Sequence, residues 1–208
     1  VSLELGGKSP NIVCADADLA QAINGVLFGI FSSQGQSCIA GSRIFVARAI
    51  YDRFVAELVR RTEALRIGNP ADTATQIGPL ISRDHRAKVQ GYVKLAQEEG
   101  GRILCGGAVP DDAGLEAGNY FQPALIDGLT NSCRTAREEI FGPVGVLLPF
   151  DDEDDLIAQA NDSVYGLACG IWTADYRRAW RIARAVDAGT VWINTYKLFS
   201  IATPFGGN

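Results

Sequence analysis

The sequence contains a single histidine, His85, among its 208 residues. A cysteine hydrolase of the Cys–His type needs an imidazole beside its sulfur. His85 lies in a charged predicted helix, where a surface role is the simpler interpretation, so this class of mechanism is disfavoured. Any base that assists a nucleophile must then be a carboxylate or a lysine, or activation must come from backbone dipoles.

Familiar nucleotide-binding motifs are also absent. No glycine-rich loop ends in Lys-Ser or Lys-Thr, and no Gly-x-Gly-x-x-Gly follows a predicted strand. The formal net charge of −5 argues against a nucleic acid or an anionic membrane as partner, because both require a basic face. No apolar run is long enough to span a bilayer.

The five cysteines include no Cys-x-x-Cys pair and are widely spaced, which predicts reduced thiols in a reducing compartment. We therefore expect a cytoplasmic location. Both ends of the sequence look cut, because residue 1 lies inside a predicted strand and residues 206–208 form part of a turn. Any targeting segment would lie outside this sequence.

Strand and helix patterns alternate along the chain. Helices are predicted at residues 51–65, 83–99, 153–160 and 176–186, and strands at residues 11–14, 44–47, 102–105, 121–129, 144–150, 167–172 and 190–194. A further helix, capped by Asp16 and Asp18, leads to residue 31. The alternation predicts an α/β domain with a mostly parallel sheet. The acidic run at residues 151–155 predicts a helix start rather than a metal site, and no metal is expected.

Residues 31–42 read FSSQGQSCIAGS and place Cys38 in a polar loop directly after a helical apolar pattern. If residues 40–43 opened a further helical turn, backbone N–H groups would point at the sulfur, favour a thiolate and hold an oxyanion. The alternative is that Cys38 is a small buried packing residue, as most isolated cysteines are. The polar surroundings favour a nucleophile.

Two segments resemble signatures of one enzyme family. Residues 3–10, LELGGKSP, resemble the glutamate signature of the NAD(P)-dependent aldehyde dehydrogenase superfamily, and residues 31–42 resemble its cysteine signature. Further similar segments are EEIFGPV at residues 138–144, NDSVYGL at 161–167, TVWIN at 190–194 and PFGG at 204–207. The resemblance covers essentially the whole sequence.

The resemblance implies a three-layer α/β/α catalytic domain over residues 1–208, with the dinucleotide-binding domain and a C-terminal segment lying outside it. It implies oxidation of an aldehyde to a carboxylic acid with NAD or NADP. Cys38 would attack the aldehyde, its backbone N–H would help to hold the oxyanion, and a thioester would follow hydride transfer. Glu4 would activate the water that releases the acid. Without the resemblance, Glu4 would be interpreted as a surface carboxylate at a strand end.

The same resemblance assigns three residues to the cofactor. Glu139 would accept hydrogen bonds from the hydroxyls of the nicotinamide-side ribose, and Phe141 would pack near that ribose and the ring. Gly6, beside a second glycine, would allow close approach of the backbone to the cofactor. A solvated glutamate, a core phenylalanine and a simple tight turn are the alternatives.

Phe199 and Phe205 match aromatic positions that line the aldehyde tunnel in many family members, although either could be a core residue. Ile39, next to Cys38, is assigned to the substrate side as well. Lys197 lies near the same tunnel mouth, and its charge leaves open whether an acidic or a neutral aldehyde is preferred.

Several alternatives compete with a hydrolytic aldehyde dehydrogenase. CoA-acylating members generally lack the glutamate base, and non-catalytic structural relatives lose the nucleophile, so Glu4 and Cys38 argue against both. A cysteine-dependent esterase activity is a third possibility. The family implies a homodimer or homotetramer, and the residues that distinguish NAD from NADP would lie upstream. We expect little or no dehydrogenase turnover by this chain alone, because an upstream asparagine of the oxyanion hole would be missing.

Overall fold

The computed structural model describes residues 5–111, 114–115 and 118–207. In this part of the chain, strands and helices alternate around one sheet. The strands are β1 (Pro10–Val13), β2 (Arg43–Ala47), β3 (Arg102–Cys105), β4 (Ala124–Asp127), β5 (Val144–Phe150), β6 (Ala168–Trp172) and β7 (Thr190–Ile193). The α-helices are α1 (Leu19–Phe31), α2 (Tyr51–Glu63), α3 (Arg83–Glu98), α4 (Arg134–Arg137), α5 (Glu153–Asn161) and α6 (Tyr176–Ala185).

The seven strands form one sheet in the order β3-β4-β5-β2-β1-β6-β7. Every neighbouring pair is parallel except β3 with β4, so the predicted α/β class and mostly parallel sheet are confirmed. All residues of β1, β2 and β6 are buried, as expected for strands covered on both faces by helices. The strand predicted at the start of the chain lies outside the described residues.

Local capping signals account for most helix boundaries. The side chain of Asp18 accepts the N–H of Gln21 at 3.0 Å at the start of α1. Asp152 caps α5, which confirms the interpretation of the acidic run as a helix start. Gly100, with φ of +89°, follows α3 in a left-handed conformation that glycine adopts without strain. No group of side chains that could hold a metal ion occurs among the described residues.

One local prediction is wrong, and one condition considered for the Cys38 loop is not met. Asp16 does not cap α1, because its carboxylate accepts the hydroxyl of Thr173 at 2.8 Å and binds Arg178 at 2.9 Å. Residues 40–43 do not open a helical turn. The N–H of Ala40 donates to the carbonyl of Ser37 at 3.0 Å, and the chain then enters β2. The pairing of β2 with both β1 and β5 overrides the local preference of this segment.

Arg43, at the start of β2, is a buried cation at the centre of the sheet. Its guanidinium donates to the carbonyls of Lys8 at 2.8 Å, Gln159 at 3.0 Å and Ala160 at 2.7 Å, and to Oδ1 of Asn131 at 3.1 Å. Arg43 therefore joins the segment before β1 to the C-terminal end of α5. Within the described ranges, no helix has both the length and the apolar character needed to cross a membrane.

Candidate active site

Three predicted site segments meet at one edge of the sheet. Gly7 precedes β1, Cys38 precedes β2 and Glu139 precedes β5, and these three strands are parallel neighbours. Because parallel strands begin at the same edge, residues just before them are brought together. Ligands of open α/β sheets usually bind at the carboxyl ends of the strands, so this cluster occupies the opposite edge.

Gly7 is the residue that joins the other two. Its N–H donates to Oε1 of Glu139 at 2.9 Å, and a Cβ atom on Gly7 would lie 2.0 Å from the carbonyl oxygen of Cys38. A Cβ atom on Gly6 would lie 2.6 Å from Oε2 of Glu139. Gly7 is therefore required by close packing, since any side chain there would displace the backbone at Cys38, whereas a side chain on Gly6 would meet only the movable end of Glu139.

The loop before Cys38 has an unusual backbone. After α1, Ser33, Gln34 and Gly35 all have positive φ, at 54°, 57° and 68°. A Cβ atom on Gly35 would lie 2.2 Å from the carbonyl oxygen of Gly142, so the loop packs directly on the turn that follows Glu139. Non-glycine residues in this conformation cost energy, and such strain persists where the surrounding structure holds it, as at many functional sites.

Cys38 differs from most of the other cysteines in its exposure. Its side chain is half-buried, whereas Cys14, Cys105 and Cys169 are buried. Burial raises the pKa of Cys14 to about 12, of Cys105 to about 11 and of Cys169 to about 12, which keeps these thiols protonated. Cys133 is also half-buried, but it lies at the start of α4. Cys38 is thus the half-buried thiol within the cluster.

A second anchor fixes the chain on the other side of Cys38. The hydroxyl of the buried Tyr196 donates to the carbonyl of Ile39 at 3.0 Å. Ile39 itself is buried in the apolar core. Next to Tyr196, the ammonium of Lys197 donates to Oγ of Ser32 at 2.7 Å. Burial lowers the pKa of Lys197 to about 8, and a thiolate at Cys38 would oppose this shift.

The turn that carries Glu139 is held by α3. The carbonyl of Glu139 accepts Nζ of Lys88 at 3.2 Å, and Nε2 of His85 contacts the carbonyl of Phe141 at 2.6 Å. Phe141 has a φ of +58° and a partly exposed ring that meets the imidazole edge to face at 6.1 Å. His85 therefore supports the Phe141 turn, a role that the sequence analysis missed because no local pattern links residues 56 positions apart.

Lys8 is a second residue that sequence reasoning missed. Its ammonium is fully buried beneath the cluster and donates to the carbonyl of Thr135 at 2.9 Å. Burial and, to a smaller extent, the positive charge of Arg43 lower its pKa to about 7, and Glu139 opposes the change. The sequence signal that could have indicated its burial is its position between two glycines and a strand that is buried throughout.

The remaining predicted residues are distributed as follows. Glu4 lies outside the described residues. Phe199 and Phe205 are about half exposed and meet edge to face at 5.3 Å, and Phe199 packs in the same way on Trp192 at 5.5 Å. They form an exposed aromatic surface that begins two residues beyond Lys197, at Phe199, so neither is a core residue.

The carboxylate of Glu139 fits a hydroxylated cofactor. Oε1 is occupied by the N–H of Gly7, while Oε2 faces Gly6, which has no side chain to block it. Among the described residues, none donates a hydrogen bond to Oε2 in the structure. A carboxylate oxygen in this setting can accept hydrogen bonds from a ribose diol.

The fold and the site define an α/β domain in which the backbone of a half-buried cysteine and a carboxylate suited to a diol both pack on one glycine. The sequence profile of the aldehyde dehydrogenase family matches residues 1–208, and the chain belongs to this family. It is 50% identical over 207 residues to a betaine aldehyde dehydrogenase of Brucella melitensis, a match that covers 100% of this chain and 42% of the relative. The chain therefore spans less than half the length of that relative.

Solved structures agree with this assignment. A betaine aldehyde dehydrogenase of Staphylococcus aureus, in complex with NAD+ and with a BME-modified cysteine, superposes with a TM-score of 0.97 at 42% identity, covering 99% of this chain and 42% of that one. The NAD+ complex of an aldehyde dehydrogenase from Bacillus cereus gives a TM-score of 0.94 at 43% identity, with 99% and 41% covered.

Proposed function

We propose that the protein containing this chain oxidises an aldehyde to a carboxylic acid with NAD+, and that residues 1–208 act as its catalytic domain. The observation that carries this proposal is the junction at Gly7, which holds the Cys38 loop and the Glu139 carboxylate against each other. NAD+ complexes of solved family members support the choice of cofactor.

In this reaction Cys38 is the nucleophile. Its thiolate sulfur forms a bond to the carbonyl carbon, and the carbonyl electron pair moves to oxygen to give a thiohemiacetal oxyanion. The backbone N–H of Cys38 stabilises this charge. The anchors on both sides of the loop, Gly35 against Gly142 and Ile39 against Tyr196, keep the sulfur in place during attack.

Oε2 of Glu139 would hold the cofactor through its nicotinamide-side ribose, Phe141 would pack beside it, and Gly6 would allow its close approach. When bound, this cofactor would supply the hydride acceptor, so that loss of a hydride would convert the Cys38 thiohemiacetal to a thioester. Glu4 is then the base that takes a proton from water, and the hydroxide attacks the thioester to release the acid and restore the thiolate. The role of Glu4 rests on the LELGGKSP resemblance.

The test is NADH formation by the full-length protein with a neutral aldehyde. We expect Cys38→Ser to lower turnover by more than about 1,000-fold, because the nucleophile is lost. Cys133→Ser is the matched control, since it removes a half-buried thiol outside the cluster, and it should leave turnover unchanged. Full activity of Cys38→Ser would refute the proposal.

Two further variants separate the steps. Glu139→Gln should raise the KM for NAD+ by about 10-fold or more, since hydrogen bonds to charged groups are the stronger ones. Glu4→Gln should preserve a first burst of NADH but slow later turnovers, because only release of the acid needs the base. NADH formation that requires CoA, with an acyl-CoA as the product in place of the acid, would instead indicate a CoA-acylating enzyme.

A further inference from the structure

Lys197 is held in an unusual position beside the Cys38 loop. Its φ of +57° lies in the left-handed region, which costs conformational energy for a lysine. The flanking residues fix the backbone there, because Tyr196 is bonded to Ile39 and the carbonyl of Leu198 accepts Nε1 of Trp192 at 2.8 Å. The side chain thus returns across the surface towards the end of α1.

The ammonium of Lys197 has few partners. Nζ donates to the hydroxyl of Ser32 at 2.7 Å and lies 5.8 Å from the ring centroid of Phe28. In the described part of the chain, no carboxylate lies within 4.0 Å of Nζ. An ammonium has three N–H donors, so two remain available for a ligand.

The surroundings of this cation include aromatic rings, neutral polar groups and two arginines. Phe28, Phe199 and Phe205 are each about half exposed. A groove of about 690 Å³ begins at Phe28 and Ser32 and runs along α2 past Arg61 and past Arg60, whose guanidinium is paired with Glu57. None of the residues described along this groove is acidic. An aldehyde with a positively charged end would therefore meet repulsion here, and one with a negatively charged end would meet attraction.

We propose that Lys197 recognises an anionic group on the substrate, so that the preferred substrate is an aldehyde with a carboxylate at its far end. This inference rests on the proposed function and extends it. The aldehyde carbon would lie at Cys38, the chain of the substrate would lie against the exposed aromatic rings, and the carboxylate would accept the two remaining N–H groups of Lys197. The trimethylammonium group of betaine aldehyde would be disfavoured, in contrast to the substrate named for the relatives.

The experiment compares kcat/KM of the full-length protein for three aldehydes of similar size: 4-oxobutanoate, butanal and betaine aldehyde. We expect 4-oxobutanoate to be preferred over butanal by about 10- to 100-fold, as for a hydrogen bond between charged groups. Betaine aldehyde should be the poorest of the three. Lys197→Gln and Lys197→Met should lower the ratio of 4-oxobutanoate to butanal by the same factor, mainly through KM, and Lys197→Arg should retain most of it.

Lys94→Gln is the matched control, because Lys94 is an exposed lysine on α3 that pairs with Glu98, and it should leave the ratio unchanged. An equal fall for all three aldehydes in Lys197→Gln would overturn the inference, since it would mean that Lys197 acts on the thiolate of Cys38. Oxidation of butanal without any charge preference would overturn the inference but leave the proposed function intact. A folded protein that oxidises none of the three would overturn both.

Discussion

Replacement of Lys8 by methionine would measure the cost of burying an ammonium beneath the site. Methionine has a similar length and no charge, so it keeps most of the packing while removing the titrating group. Lys8 is fully buried, and its pKa falls from 10.5 to about 7. In the unfolded chain the pKa of Lys8 has its ordinary value of 10.5.

The sign and size of the effect follow from proton linkage. Between pH 7 and pH 10.5 the unfolded chain binds a proton at Lys8 that the folded chain does not, so this group makes the folded state more stable as pH rises. From pH 6.5 to pH 8.5, the free energy of unfolding of the wild type should rise by about 2 kcal/mol relative to Lys8→Met. Below pH 6 the difference between the two proteins should become constant, because the lysine is then protonated in both states.

The assay is urea unfolding of both proteins at a series of pH values, with Lys94→Met as an exposed control that should follow the wild type. The buried thiols oppose the trend above about pH 8.5, since their ordinary pKa is lower than their folded value. They are common to both proteins and cancel in the difference. A difference between wild type and Lys8→Met that does not change with pH would refute the assignment of a lowered pKa to Lys8.

Other substitutions test the packing of the site. Gly7→Ala should lower the free energy of unfolding by about 2 kcal/mol or more, because its Cβ would meet a backbone oxygen. Gly6→Ala should lower it less, because the side chain of Glu139 can move. Equal unfolding free energies of the two variants would contradict this. Arg43→Lys should lower the free energy of unfolding by about 3 to 5 kcal/mol in the same assay, since an ammonium cannot reproduce the four hydrogen bonds of the guanidinium. An unchanged free energy of unfolding would show that these contacts contribute little. Limiting iodoacetamide at pH 7 should label Cys38 before the three buried thiols. The raised pKa of those thiols leaves about one part in ten thousand or less of each as thiolate. Peptide mapping that finds a buried thiol labelled first would contradict their burial.

Interactions within one turn could be predicted from the sequence. The caps at Asp18 and Asp152 and the glycine after α3 depend on neighbouring residues only, and the alternation of strand and helix patterns determined the α/β class with its mostly parallel sheet. The motifs around Cys38 and Glu139 were likewise recognisable, because each is a continuous segment. Strand ends were also predicted to within a few residues, because the residues that end a strand are its immediate neighbours in the sequence.

Only the tertiary structure decided how these segments meet. Gly7 and Glu139 are 132 residues apart, and Ser32 and Lys197 are 165 apart, so no local pattern relates them. The order of the strands placed them together, and the pairing of β2 on both sides replaced the helical turn expected after Cys38 with a strand. Burial of Lys8 and the contact of His85 with Phe141 also depend on distant elements. The charge state and accessibility of a side chain are determined by everything packed around it, and that packing forms only when the whole sheet is assembled.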